Sequence, residues 1–296
     1  MQVDTAKTIF TEKSYSINSS ISDITLFTKQ YIPTYKSEIL YNFVIVHDLG
    51  GHHGRYQELI SFLMNKSDGK FMVSAFDLMG HGQSNGSRTY INSFEDYCMN
   101  LIDFLSFKEV SSNSVKTVLL GHGLGGLIIL KTLEQYSHLI QPKIDGIILS
   151  NPLIKLNFNL PFWGKILLAP DESKLKNIRQ HFEYNGYDLT NDPSLAEQFN
   201  ADYLVSNFAT LNLISEIQTA AKEVRSYSYF IDIPSLFLVS SESCLTSISM
   251  VELFQKGMPK QVSTINKYNN FKHDILHEVD RGRVFKDVYS WISQLT

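Results

Sequence analysis

The chain has 296 residues, 43% hydrophobic and 19% charged, the composition of an ordinary globular protein long enough to bury a sizeable core. Its 26 basic and 30 acidic residues give a formal charge of -4, the wrong sign for a nucleic-acid footprint, so no nucleic-acid partner is expected. Two cysteines, Cys98 and Cys244, cannot build a disulfide framework and stand at no metal-ligand spacing, which predicts reduced thiols in a cytoplasmic-type protein.

In chain order, the opening MQVDTAKTIFTEKSYS has no apolar stretch behind a basic start, so no signal peptide is legible; export without an N-terminal signature stays open. No run approaches the ~18 apolar residues of a membrane span. Short β-branched runs then alternate with longer helical patterns, the rhythm of a parallel sheet covered by helices. Strands are predicted over 43–47, 71–77, 115–121, 144–150, 235–240 and 262–265, and helices over 56–66, 94–107, 124–136, 247–256 and 282–295. FVIV, TVLL and GIIL are continuously apolar, as strands buried on both faces require. Between about Pro152 and Arg225 the rhythm breaks into LPFWGKILLAP, an Asn/Asp/Tyr-rich middle and helical patterns, with no convincing run of sheet strands. Residues 152–225 therefore read as a cap inserted into a sheet domain made of 1–151 and 226–296, with Pro234 marking the return to a strand.

Three loops at the carboxyl ends of strands carry the chemistry, where ligands sit in open α/β sheets. They are VIVHDLGGHHGRY (44–56), FDLMGHGQSNGSR (76–88) and VLLGHGLGG (118–126). The last has the strand, glycine turn and helix start of a G-x-S-x-G nucleophile elbow, with Gly123 at the serine position. Together the three resemble the monoglyceride lipase and lysophospholipase group of α/β-hydrolases. In that group a His-Gly loop with a downstream Arg-Tyr, a D-x-x-G-H-G-x-S-x-G-x-R segment and a G-H-S-x-G-G elbow occur in this order. LTNDPSLAEQFNADYLV (189–205) is similar to that group's cap segment, and YNNFKHDILHEVDRGRVFKDVYSWI (268–292) to its histidine loop and last helix.

The resemblance implies an α/β-hydrolase fold: a mostly parallel central sheet flanked by helices, with an inserted helical cap. It implies a monoacyl lipid ester, or a similar fatty acyl ligand, as the small-molecule partner, and no cofactor. It puts the nucleophile at position 123, the base on His273 and the acid, in IPSLFLVSSESCL (233–245), on Ser243. The main-chain amides of Leu49 and Leu124 become the oxyanion donors.

A serine hydrolase needs an attacking oxygen, an imidazole to take its proton and a carboxylate to orient that imidazole. Only the imidazole is plainly present. Gly123 has no side chain, and loss of the nucleophile in a serine hydrolase of another fold costs on the order of a million-fold, about 8 kcal/mol of barrier. Ser243 offers a hydroxyl where a carboxylate belongs, and the adjacent Glu242 is the substitute acid to consider. Asp48 replaces the glycine of the group's His-Gly, and Gly51 replaces its glutamate; a negative charge at 48 opposes a developing oxyanion. Ser84 and Ser87 read as turn or capping residues.

Three functional readings follow: a catalytically silent member that binds a monoacyl lipid or similar apolar ester, an ester hydrolase met as an inactivated variant, and a protein-interaction scaffold. A single engineered substitution explains Gly123 but not Ser243 and Asp48, whereas relaxed selection for hydrolysis explains all three.

His47, His52 and His53 cluster with Asp48 in sequence but at no familiar ligand spacing; hydrogen-bonding histidines and no metal are expected. His122 is expected to pack or bond beneath the turn. In LPFWGKILLAP, Phe162, Trp163, Ile166 and Leu167, with Leu168 beside Lys165, form either the apolar face of the cap over the pocket or a peripheral contact with a membrane surface.

Overall fold

The computed structural model describes residues 9–34, 38–107, 110, 115–157 and 177–295. Its centre is an eight-stranded sheet built from β1 (Phe10–Asn18), β2 (Thr25–Pro33), β3 (Tyr41–Val46), β4 (Phe71–Phe76), β5 (Lys116–His122), β6 (Gly146–Ser150), β9 (Ser235–Glu242) and β10 (Ser263–Lys272), in the order β1-β2-β4-β3-β5-β6-β9-β10. All pairs from β4 to β10 are parallel. The six predicted strands are these six. The first two, which periodicity did not reveal, form an antiparallel hairpin that joins the sheet through β2 and β4. Most of β1 is exposed, so it lacks the apolar signature of a buried strand.

Strand alternation splits the core between the sheet faces. Phe43, Ile45, Val118 and Leu120 point to one side, where they meet α1 (Gln57–Lys66) and the last helix, α7 (Arg281–Ile292), through Leu59, Leu63, Val284 and Val288. Val44, Val46, Leu119 and Leu149 point to the other, which holds Leu101 and Phe104 of α2 (Glu95–Ser106), Leu127 and Ile128 of α3 (Leu124–Ile140) and Val251 and Phe254 of α6 (Ile248–Gly257). α3 loses helical backbone at Tyr136 (φ -132), where the predicted helix ends, and then resumes to Ile140. The fold is that of an α/β-hydrolase.

Among the described residues the sheet takes no strand between Ser150 and Ser235. That stretch holds α4 (Pro193–Ala201) and α5 (Leu211–Glu223), and also a short antiparallel pair, β7 (Arg179–His181) with β8 (Phe208–Thr210), that a purely helical reading missed. Three-residue strands are too short to show a period. Local sequence sets the helix starts. The Asp192 carboxylate accepts from the amides of Ser194 and Leu195 with Pro193 in the first turn, and the Thr210 hydroxyl accepts from Leu213. This stretch is tied to the rest of the protein by Ser206 N to Gly50 O (2.8 Å), by His52 Nε2 to Asp202 (2.8 Å) and by Lys131 Nζ to Glu223 (2.7 Å).

Phe162, Trp163, Ile166 and Leu167 lie outside the described residues, with Lys165 and Leu168. No described helix is long and apolar enough to cross a membrane. Cys98 and Cys244 are both free thiols.

Candidate active site

The ends of β3, β5, β6, β9 and β10 converge on one point. After β5 the chain turns sharply at Gly123 (φ 51, ψ -110) and enters α3, a backbone conformation that L side chains rarely adopt. The turn is possible because α3 lies almost on the sheet: a β-carbon added at Gly125 would fall 2.1 Å from the Val46 carbonyl oxygen. Gly123 N donates to Ser150 O (2.9 Å), fixing the bend against the end of β6.

Asp48 enters from the loop after β3. Its carbonyl accepts from Gly51 N (3.0 Å) and from His47 Nδ1 (2.8 Å), while His47 Nε2 accepts from Leu78 N (3.0 Å). That pattern assigns His47 a neutral tautomer, in keeping with burial pushing its pKa down to about 4. The loop delivers the Asp48 carboxylate into the elbow. Oδ1 accepts from the Leu124 amide at 2.7 Å, and Oδ2 lies 3.0 Å from His273 Nε2. A β-carbon on Gly123 would fall 1.9 Å from that same Oδ1. Burial opposes the Asp48 charge, but the hydrogen bond and charge of His273 outweigh it and hold the carboxyl below its ordinary range.

His273 follows β10 and is buried. Its Nδ1 meets Ser243 Oγ at 2.7 Å, and that oxygen also accepts from Thr246 N (3.2 Å). Ser243, not Glu242, therefore faces the imidazole; Glu242 closes β9 with its side chain exposed. Asn151 clamps the loop from β6: its Nδ2 donates to His273 O (2.6 Å) and Ser240 Oγ (2.9 Å), and its Oδ1 accepts from Ser240 N (3.0 Å). It does so at φ 40, in left-handed backbone. Leu49, the other expected oxyanion residue, lines a small cavity together with Asp48 and His273.

His122, His277 and His53 take up hydrogen-bonding posts. His122 Nδ1 meets Ser150 Oγ (2.9 Å) and its Nε2 lies 3.4 Å from Asp274 Oδ1; burial lowers its pKa to about 4. Burial also opposes the Asp274 charge, which His277 (2.6 Å) and Arg55 (2.7 Å) outweigh, leaving the carboxyl well below its usual range. Asp77 accepts from His53 N (2.7 Å) and Gln83 N (2.8 Å), with His53 Nδ1 2.8 Å away. Ser84 acts as a turn staple: its Oγ donates to Asp77 O (2.5 Å) and accepts from Phe27 N (2.8 Å).

Sequence reasoning thus named Asp48, Gly123, Leu124, Ser243 and His273, and the fold brings all five together. It missed Asp274, Arg55, His277 and Asn151. Arg55 and Tyr56 were visible as part of the first motif, but no local pattern pairs Arg55 with Asp274, 219 positions away. Above the Asp48–His273 pair lies a cavity of about 20 Å³ lined by Asp48, His122, Tyr184, Phe199, His273 and Asp274, among others, enough for one water.

The family described as "Serine aminopeptidase, S33" matches residues 38–280. The chain belongs to that family. Within it the likeness is to monoglyceride lipases and related hydrolases. The rat monoglyceride lipase is 27% identical over 264 residues, 84% of this chain and 81% of its own length. Phospholipase YtpA of Bacillus subtilis is 27% identical over 259 residues, 85% and 94% of the two chains. A soluble variant of the Saccharomyces cerevisiae monoglyceride lipase, solved with a substrate analog, superposes with a TM-score of 0.81 at 17% identity over 99% of this chain and 98% of that one. The protein is a monoglyceride lipase-like α/β-hydrolase in fold and family. Around the imidazole of His273 the structure sets Ser243 on the Nδ1 side and the Asp48 carboxylate on the Nε2 side, next to Gly123.

Proposed function

We propose that the protein is a catalytically silent member of its family that binds a monoacyl lipid, or a similar apolar ester, without cleaving it. One observation carries this reading: the Asp48 carboxylate fills the space that a side chain at position 123 would need. Ester cleavage by acyl transfer requires an attacking oxygen, a base nitrogen free to take its proton and amides free to receive the oxyanion. Gly123 offers no oxygen. Asp48 Oδ2 engages His273 Nε2, the base nitrogen, and Oδ1 engages the Leu124 amide, one of the two expected oxyanion donors. Attack on an ester by Asp48 itself would form a mixed anhydride, uphill from the ester, and would withdraw the carboxylate from its own hydrogen bonds.

The same fit weighs against a hydrolase disabled by one substitution. A serine restored at 123 would bring its β-carbon to 1.9 Å from Asp48 Oδ1, so glycine and aspartate are matched to each other. The lipid class is supported by the relatives, whose names are monoglyceride lipase and phospholipase. A second reading, an interaction scaffold, is favoured by the narrowness of the described cavity, about 20 Å³ above the imidazole.

The test is incubation of the purified protein with a monoacylglycerol and, separately, with a fluorophosphonate probe. The expected result is an intact monoacylglycerol bound in native mass spectra, no fatty acid released and no label. Gly123→Ser alone stays unlabelled, whereas Gly123→Ser with Asp48→Gly and Ser243→Asp takes the label. Fatty acid release by the unaltered protein overturns the silent reading; absence of both binding and release moves the conclusion to the scaffold.

A further inference from the structure

We propose that Asp48, His122 and His273 form a binding site for a divalent transition metal. Asp48 Oδ2 lies 3.0 Å from His273 Nε2 and 4.0 Å from His122 Nε2, and the three atoms all fall within 4.8 Å of one another. A tetrahedral ion with bonds of about 2.1 Å has ligand atoms roughly 3.4 Å apart, between those two separations. Closing the set takes side-chain shifts below about an ångström on this geometry. The histidines are buried, and the Asp48 side chain is 15% exposed, towards the cavity of about 20 Å³ that all three line. A fourth position opening on that cavity has room for one water.

The outer partners suit the role. Metal-binding histidines commonly donate the second ring N–H to an oxygen, which fixes the tautomer and aims the lone pair. Here His122 Nδ1 meets Ser150 O (3.2 Å) and Oγ (2.9 Å), and His273 Nδ1 meets Ser243 Oγ (2.7 Å). With Nδ1 donating in both rings, an ion at this point takes the Nε2 lone pairs and replaces the Asp48–His273 hydrogen bond of the ion-free protein. Asp48 is steadied by the Leu124 amide on Oδ1, leaving Oδ2 as its ligand atom. Asp274 Oδ1 lies 3.4 Å from His122 Nε2 and lines the same cavity. The donor set of two imidazoles and a carboxylate favours zinc and its neighbours in the transition series over magnesium or calcium, which take oxygen ligands. The loss of the nucleophile and the exchange of the acid for a serine are what make the set: a side chain at 123 would displace Asp48.

A second group, His52, His53 and Asp77, also clusters. It serves as the control, because backbone amides hold its atoms: Asp77 Oδ1 accepts from His53 N and Oδ2 from Gln83 N, and His52 Nδ1 accepts from Gly54 N.

The experiment titrates the full-length, chelator-treated protein with cobalt(II) chloride, followed by visible absorption. One equivalent is expected to give the intense bands of a four-coordinate ion, removed by zinc and untouched by magnesium. Ser243→Ala, which keeps all three ligands, should weaken cobalt binding about 10-fold, and Asp48→Asn, which takes the charge from a ligand, should weaken it more. His52→Gln should leave it unchanged. Circular dichroism melts establish that each variant is folded; where His122→Gln or His273→Gln fails to fold, Asp48→Asn and Ser243→Ala decide. Absence of a one-equivalent transition, or equal affinity in Asp48→Asn, overturns the site. The inference goes beyond the silent lipid-binding reading: failure to bind a monoacylglycerol leaves the cobalt result standing, and ester turnover dependent on metal would overturn silence but not the site.

Discussion

The Oδ1 atom of Asp48 and the missing β-carbon of Gly123 claim the same space, 1.9 Å apart. Gly123→Ala must therefore do two things at once: hold alanine at φ 51 and expel Asp48 from the Leu124 amide. The backbone term alone costs ~1–3 kcal/mol. In an Asp48→Gly background the second term disappears, so the alanine should cost less there, with a coupling of about 1 kcal/mol or more between the sites. Urea unfolding of the four proteins measures this, and additivity within ~0.5 kcal/mol would refute the shared-space account.

Asn151 is expected to be a structural clamp on the histidine loop. Asn151→Ala removes three buried hydrogen bonds and should cost about 2–3 kcal/mol, read as a fall in the thermal midpoint. Asn151→Gly loses the same bonds but relieves the left-handed φ of 40, so it should lie between alanine and the unaltered protein. A neutral alanine variant would show that the loop is held elsewhere.

Two glycines should behave oppositely. At Gly125 an added β-carbon meets the Val46 carbonyl oxygen at 2.1 Å, and neither sheet nor helix backbone can retreat cheaply. Gly125→Ala is expected to cost more than ~3 kcal/mol, or to abolish the folded yield. At Gly282, in the first turn of α7, nothing lies within 4 Å, so alanine should be neutral or gain up to ~1 kcal/mol. Expression yield and urea midpoints separate the two outcomes.

Stability should fall on mild acidification. Burial lowers His47 to about 4 and His81 to about 3 from the ordinary 6.5. Below pH 6.5 the unfolded chain takes up protons that the folded protein refuses, so stability is full above that pH and drains away as pH falls towards 4. Each histidine contributes a slope of up to ~1.4 kcal/mol per pH unit. Urea unfolding between pH 4.5 and 8 tests this; a midpoint that is flat or rises on acidification would contradict neutral, buried rings.

Legibility followed locality. The parallel strands were readable because strands buried on both faces are apolar at every position, as in FVIV and GIIL. The β1–β2 hairpin was not, because β1 faces water along most of its length. The positions of His273, Gly123 and Ser243 came from ordered motifs, each tied to a strand end, and strand ends gather at one edge of a parallel sheet whatever else the chain does.

The sequence by itself determined that position 123 has no nucleophile and that 243 has no carboxylate, because those are facts of side-chain chemistry and need no coordinates. Only the tertiary structure decided where the charge went. Asp48 and His273 are 225 positions apart, and their contact arises because β3 and β10 end on the same side of one sheet. A glycine at 123 leaves the Asp48 carboxylate the space that a β-carbon would take, and a buried imidazole lowers the cost of placing charge there; neither that space nor its neighbour is encoded within any one segment.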